Sequence, residues 1–186
     1  MNSDIKPNSS PGPVVSFYRE EAPDGSGRKL SQLLAWDDAK LEAYHDFIQW
    51  LFPLVEGSSA VPGSPVLQQA EIQAFNTDPI LRTRLGDAFR RMLSFYKFDY
   101  VEEAGEIKIT RKEGWTRSKP HWLNKGNHNH LRITRILKSL TILGLPDQAN
   151  AFYQALAEVY QSYKDDIGYN TFQYWKRAIN PASNYI

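Results

Sequence analysis

Cysteine is absent from all 186 residues, which excludes disulfide cross-links, thiolate zinc sites and thiol nucleophiles. Net charge is almost as scarce. Lys and Arg number 22 against 21 Asp and Glu, a formal +1, so no global field draws in a phosphate backbone and nucleic acid is not an expected partner. Long apolar runs are missing too. The most apolar stretch, 131–145, is interrupted by Arg132, Arg135 and Lys138, whereas a membrane-spanning helix needs about 20 largely uncharged residues. The opening MNSDIKPNSSPGP has no apolar segment of the secretory kind, so a cytoplasmic or nucleoplasmic protein is expected. Enzyme signatures are equally thin: the chain has no G-x-S-x-G, P-loop, G-x-G-x-x-G or H-E-x-x-H motif. The acid pairs Asp37-Asp38, Glu102-Glu103 and Asp165-Asp166 fall at predicted element ends, where capping suits them better than acid–base catalysis. Without Cys or His-x3-His, no metal and no cofactor is expected.

What is present is core-forming material. Hydrophobic residues make up 41% of the chain, with 5 Trp, 10 Tyr and 9 Phe, a composition for one globular domain. Residues 1–13 read as a disordered arm and 14–186 as the domain. Leu30, Leu33 and Leu34 mark a short helix, and Asp37 or Asp38 caps another that the spacing carries through to Phe52, before Pro53. Residues 57–65, GSSAVPGSP, are a loop of turn formers. A helix over 68–76 precedes Asp78-Pro79, and Leu81, Leu85, Phe89, Met92 and Tyr96 then recur at helical spacing. Phe98–Val101 and Glu106–Thr110 read as a hairpin, and 111–126 as an ordered loop holding Trp115 and Trp122. Helices over 127–143, 147–165 and about 171–179 complete the chain, with Gly144 as a stop signal. The predicted class is mainly α, a compact multi-helix domain with one small hairpin at about 98–110.

Polar residues on these helices point to a site. On the helix after Gly126, Ile133, Ile136, Leu137 and Leu140 form the core arc. His128, Arg132 and Arg135 line up on another, with Ser139 beside them. Such a stripe either meets internal acids (Asp46, Glu71 or Glu158) or a carboxylate, phosphate or peptide terminus, since the guanidinium fork matches planar anions. Arg117, in the Trp115-Thr116-Arg117 segment, would add a further guanidinium. His45 falls on the apolar arc of its helix in register with Leu41, Ile48 and Phe52. It is therefore expected to be buried and neutral, with Gln49 one turn on sharing its hydrogen bonds.

Several runs resemble the conserved region of the opioid growth factor receptor family. They are Phe17-Tyr18-Arg19, Leu41-Glu42…His45…Ile48-Gln49-Trp50-Leu51-Phe52-Pro53-Leu54, Glu71-Ile72…Phe75, Arg91-Met92-Leu93…Phe95-Tyr96 and Trp115…Arg117. The longest is His128-Asn129-His130-Leu131-Arg132-Ile133-Thr134-Arg135-Ile136-Leu137-Lys138-Ser139-Leu140. The resemblance runs from about residue 17 to 180. It departs at Lys97, where the family carries Gly after Phe-Tyr, and in the loop 57–65. What it implies is a fold boundary, and vertebrate members described as enkephalin-peptide receptors associated with the nucleus, unrelated to seven-helix opioid receptors. Those members extend into long repetitive tails, so tail-borne activities are not expected in a chain ending at Ile186.

Joined together, these readings predict that the IQWLFP helix packs on the HNHLRITRILKSL helix, with the Trp115–Arg117 loop closing one end. The result would be an aromatic-walled pocket with a basic floor. Its expected ligand-binding residues are Gln49, Trp115, Arg117, Asn129, Arg132 and Arg135, and the expected partner is a peptide or small anionic ligand. The alternative is a small cofactor-free enzyme, a non-redox cyclase or isomerase, with His45 or His128 as acid–base group and the arginines stabilising developing charge. A scaffold whose polar residues satisfy one another is the third reading.

Overall fold

Apolar residues recurring every three or four positions build the frame of the protein. The computed structural model describes residues 11–115, 117–180 and 182. The helices α1 (Pro13–Tyr18), α2 (Leu30–Leu34), α3 (Asp38–Ala43), α4 (Ile48–Leu51), α5 (Gln69–Thr77) and α6 (Pro79–Phe95) lead to the hairpin strands β1 (Phe98–Glu103) and β2 (Glu106–Arg111). After the hairpin come α7 (Asn129–Ile142), α8 (Pro146–Ser162), α9 (Lys164–Ile167) and α10 (Tyr169–Ala178). The fold is mainly α, one domain with a single antiparallel hairpin among the described residues, in register from Phe98 opposite Arg111 to Glu103 opposite Glu106. No described helix is long and apolar enough to cross a membrane. Residues 1–10, most of the expected arm, lie outside the described residues, and α1 already begins at Pro13.

Helix α6 starts where the sequence says it should. The Asp78 carboxylate accepts from the Ile80 N–H while Pro79 occupies the first turn, where its missing donor costs nothing. Its stripe of Leu81, Leu85, Phe89 and Met92 is buried. Helix α7 packs on α8 and α10, α6 packs on β1, and α8 lies against β2. Trp122 and Trp115 order the long segment after β2. Trp122 Nε1 donates to the Tyr96 carbonyl (3.0 Å) and Trp115 Nε1 to the Lys97 carbonyl (2.7 Å), and both rings pack on Phe98. At Gly144, after α7, φ is +88°, a left-handed conformation that glycine adopts without strain. Lys97 takes a similar value, +66°, at the junction of α6 and β1.

One expected element is split. The helix foreseen from Asp38 to Phe52 stops at Ala43, Tyr44 turns to extended backbone (ψ 141°), and helix resumes only at Ile48. His45 therefore sits in the break, exposed, and the expectation that it would be buried in the core fails. The end of the chain is also subdivided, with α9 inserted between α8 and α10.

Candidate functional site

The break in α3–α4 and the polar face of α7 explain one another. Arg132, 5% exposed, reaches across to α3. Its Nη1 donates to the Leu41 carbonyl (2.8 Å) and its Nη2 to the Tyr44 carbonyl (2.6 Å). Those are carbonyls at the end of α3, where helix leaves acceptors unfilled and a cation meets the negative end of the dipole. Nη1 also reaches Asn129 Oδ1 (3.3 Å) and Nη2 lies 3.1 Å from His45 Nδ1, while the guanidinium sits over the Phe47 ring. Burial pulls the Arg132 pKa below the usual arginine value, opposed by Tyr96 and Glu42. None of the internal acids considered from the sequence meets it. Its acceptors are backbone oxygens and the side chains of Asn129 and His45.

Further along α7 the same pattern continues. Arg135 Nη1 donates to the Phe52 carbonyl at the end of α4 (3.2 Å), and Ser139 Oγ donates to the Pro53 carbonyl (2.9 Å). Lys138 Nζ pairs with Glu56 (2.5 Å). The remaining N–H groups of Arg135 have no hydrogen-bond partner among the described residues. Burial lowers its pKa, against the pull of Glu56.

Between α7, α4 and the following loop lies a cleft of about 620 Å³, within the roughly 300–1,000 Å³ of small-ligand sites. Its polar lining includes His45, Gln49, His128, Arg132, Arg135 and Lys138. Its apolar lining is aliphatic: Ile48, Leu54, Val61 and Leu131. The expected aromatic walls are not there, since no Phe, Tyr or Trp lines it among the described residues. Arg132, Arg135 and Lys138 of α7 line the cleft, and α7 meets the end of α4 through the Arg135–Phe52 and Ser139–Pro53 bonds. Gln49 is 5% exposed, and its Oε1 is sealed from solvent with no hydrogen-bond partner among the described residues.

Asn129 is fully buried and occupied, donating to Glu42 (3.0 Å) and lying 3.4 Å from the Tyr96 hydroxyl. Glu42 also faces His121 Nε2 (3.4 Å) and His128 Nε2 (3.5 Å), and the His45 and His128 rings stand edge to face at 5.1 Å. Desolvation pushes the His121 and His128 pKa values down, more than Glu42 raises them. No group of at least three His, Cys, Asp or Glu is arranged to hold a metal among the described residues. Trp115 and Arg117 do not close the cleft. Trp115 is a core residue beside a separate hollow of about 440 Å³ near Lys97, Lys112, Lys119 and His121, and Arg117 is exposed. Sequence reasoning missed Lys138, Glu56 and Leu131. Lys138, three residues after Arg135, extends the same helical face, so the spacing did contain that signal.

The match to the opioid growth factor receptor conserved region spans residues 14–182. The chain belongs to that family. It is 40% identical over 135 residues to the opioid growth factor receptor of Rattus norvegicus, covering 70% of this chain and 23% of that protein. It is 38% identical over 139 residues to the Homo sapiens receptor, covering 72% and 20%. The opioid growth factor receptor-like protein 1 of Mus musculus is 36% identical over 134 residues, covering 70% and 28%. This member thus spans less than a third of the length of the curated relatives it matches. No solved structure matches it.

Proposed function

We propose that this opioid growth factor receptor-like domain is a binding module whose α4–α7 cleft takes a peptide or a small anionic ligand. The observation that carries the reading is Arg135, whose fork is anchored by one bond to Phe52 and has N–H groups left over beside an aliphatic wall. An anion fits the fork, and Ile48, Leu54, Val61 and Leu131 fit apolar ligand surface. The relatives' name, opioid growth factor receptor, favours a peptide among anionic ligands. Arg132 acts as a wall, because its N–H groups are already engaged, and Asn129, Trp115 and Arg117 do not line the cleft. The enzyme alternative has only the exposed rings of His45 and His128 to draw on.

The test is thermal melting against anionic metabolites and short peptides, enkephalin included. A ligand at a hundred times its dissociation constant stabilises the folded state by about 2.7 kcal/mol. Arg135→Ala should abolish the shift while leaving the unliganded melting temperature within a few degrees. A ligand whose shift survives Arg135→Ala binds elsewhere and refutes the assignment.

A further inference from the structure

Besides Arg135, the cleft is lined by Gln49, whose buried carboxamide oxygen finds no partner among the described residues. Burying a polar oxygen without a partner is unfavourable, and Leu or Met at this place in α4 would avoid it. The last torsion of a glutamine is soft, so the carboxamide can turn its oxygen toward the cleft when a donor arrives, its NH2 taking the place the oxygen leaves. Gln49 lies three residues before Phe52, whose carbonyl holds Arg135. Gln49 and Arg135 line the same cleft, so one ligand can meet both.

The other groups of the cleft narrow the ligand. Lys138 is paired with Glu56 and Arg132 is engaged by carbonyls, which leaves the fork of Arg135 seeking an acceptor and Gln49 seeking a donor. A phosphate ester or a simple fatty acid brings the anion without the N–H. An interior peptide residue brings the N–H with no carboxylate on the same α-carbon. A C-terminal residue of an acylated chain brings both on one carbon, together with a side chain for the aliphatic wall.

Resting on the binding-module reading above, we propose that the cleft recognises N-acyl-α-amino carboxylates, the free C-terminal end of a peptide. Gln49 reads the last amide N–H and Arg135 the carboxylate.

The test titrates the full chain with three probes, followed by amide and side-chain NMR shifts. They are N-acetyl-leucine, its uncharged methyl ester, and O-acetyl-2-hydroxyisocaproate, in which an ester oxygen replaces the N–H. N-acetyl-leucine should bind the cleft, with the methyl ester lost. The oxygen analogue should bind roughly tenfold more weakly, the value of one hydrogen bond. Gln49→Met should melt at or above the parent temperature and bind the two acids equally. Equal binding of both acids to the parent protein, with both lost in Arg135→Ala, overturns the role of Gln49 and leaves the binding module standing. Persistence of the discrimination in Gln49→Met also overturns it. Absence of any shift at the cleft with N-acetyl-leucine up to its solubility limit overturns the ligand class, and if the wider panel also fails, the module reading falls with it.

Discussion

Replacing Arg132 by alanine is the sharpest perturbation of this fold. The guanidinium fills the Leu41 and Tyr44 carbonyls at 2.8 and 2.6 Å from a side chain that is 5% exposed. Hydrogen bonds to charged groups contribute about 1.5–3 kcal/mol each, and the substitution removes both while leaving two carbonyls without their donor. Water entering beside the exposed Tyr44 fills part of the deficit, so a loss of about 3–5 kcal/mol is expected for Arg132→Ala. For a chain of this size each kcal/mol lowers the melting temperature by about 2–4 °C, giving a fall of roughly 6–20 °C. Arg132→Lys should be intermediate, since one ammonium lacks the fork that spans both carbonyls. Equilibrium unfolding in urea, followed by tryptophan fluorescence, measures the loss. Hydrogen exchange should place the loosening in residues 38–52. A loss below about 1 kcal/mol would refute the reasoning and return Arg132 to the ligand-facing role first expected of it.

Lys97→Gly should raise stability or leave it unchanged. Relief of a left-handed non-glycine conformation is worth about 1 kcal/mol, against about 0.2–1 kcal/mol for the partly exposed Lys97–Asp38 pair it removes. A loss beyond 1 kcal/mol by urea unfolding refutes this. Gly12→Ala should destabilise, because the added Cβ would fall 2.3 Å from the Glu71 carboxyl carbon, which is pinned by the Val14 and Gln68 N–H groups. An unchanged melting temperature would show that Glu71 can move. Acidification should also destabilise. Desolvation pushes the His130 pKa down, and its Nε2 donates to the Trp122 carbonyl at 3.0 Å. A histidine with a lowered folded pKa takes its proton more readily when unfolded, so stability falls as pH drops through about 6.5. Melting should decline between about pH 7.5 and 5.5, above the range in which Asp38 titrates, since hydrogen bonds from Lys97 and Arg91 outweigh its burial and hold its pKa down. His130→Gln, which keeps a donor for Trp122, should flatten that decline. A slope unchanged in the variant would assign it to His121 and His128 instead.

The elements with local causes were legible in the sequence. Asp78-Pro79 announces α6, Ala104-Gly105 turns the hairpin, and the core arc of α7 emerges from its period. The break at Tyr44 was not legible, because its cause is Arg132, 88 residues away, which binds the Leu41 and Tyr44 carbonyls at the end of α3. A periodicity argument sees the alternation of Leu41, His45, Ile48 and Phe52 but not a guanidinium arriving from another helix. The misplacement of His45 follows from that single omission. The polar stripe of α7 was legible from its spacing, since His128, Arg132 and Arg135 all line one cleft. The walls of that cleft were not, since Trp115 and Trp122 were drawn inward by carbonyls of Tyr96 and Lys97.

The two arginines of α7 divide the work in a way that affects how binding data should be read. Arg132 fixes the Leu41 and Tyr44 carbonyls just before the cleft residue His45, and on the proposed binding reading Arg135 keeps N–H groups for what enters the cleft. A cleft whose floor is tied by buried bonds is already ordered before ligand arrives, which lessens the entropy lost on binding. It also means that Arg132→Ala will weaken binding without Arg132 touching the ligand, because Gln49 moves with α4. Loss of binding in that variant therefore identifies nothing. The informative comparison is Arg135→Ala against Arg132→Ala at matched fraction folded, where a contact residue changes affinity with stability nearly intact and a positioning residue changes both.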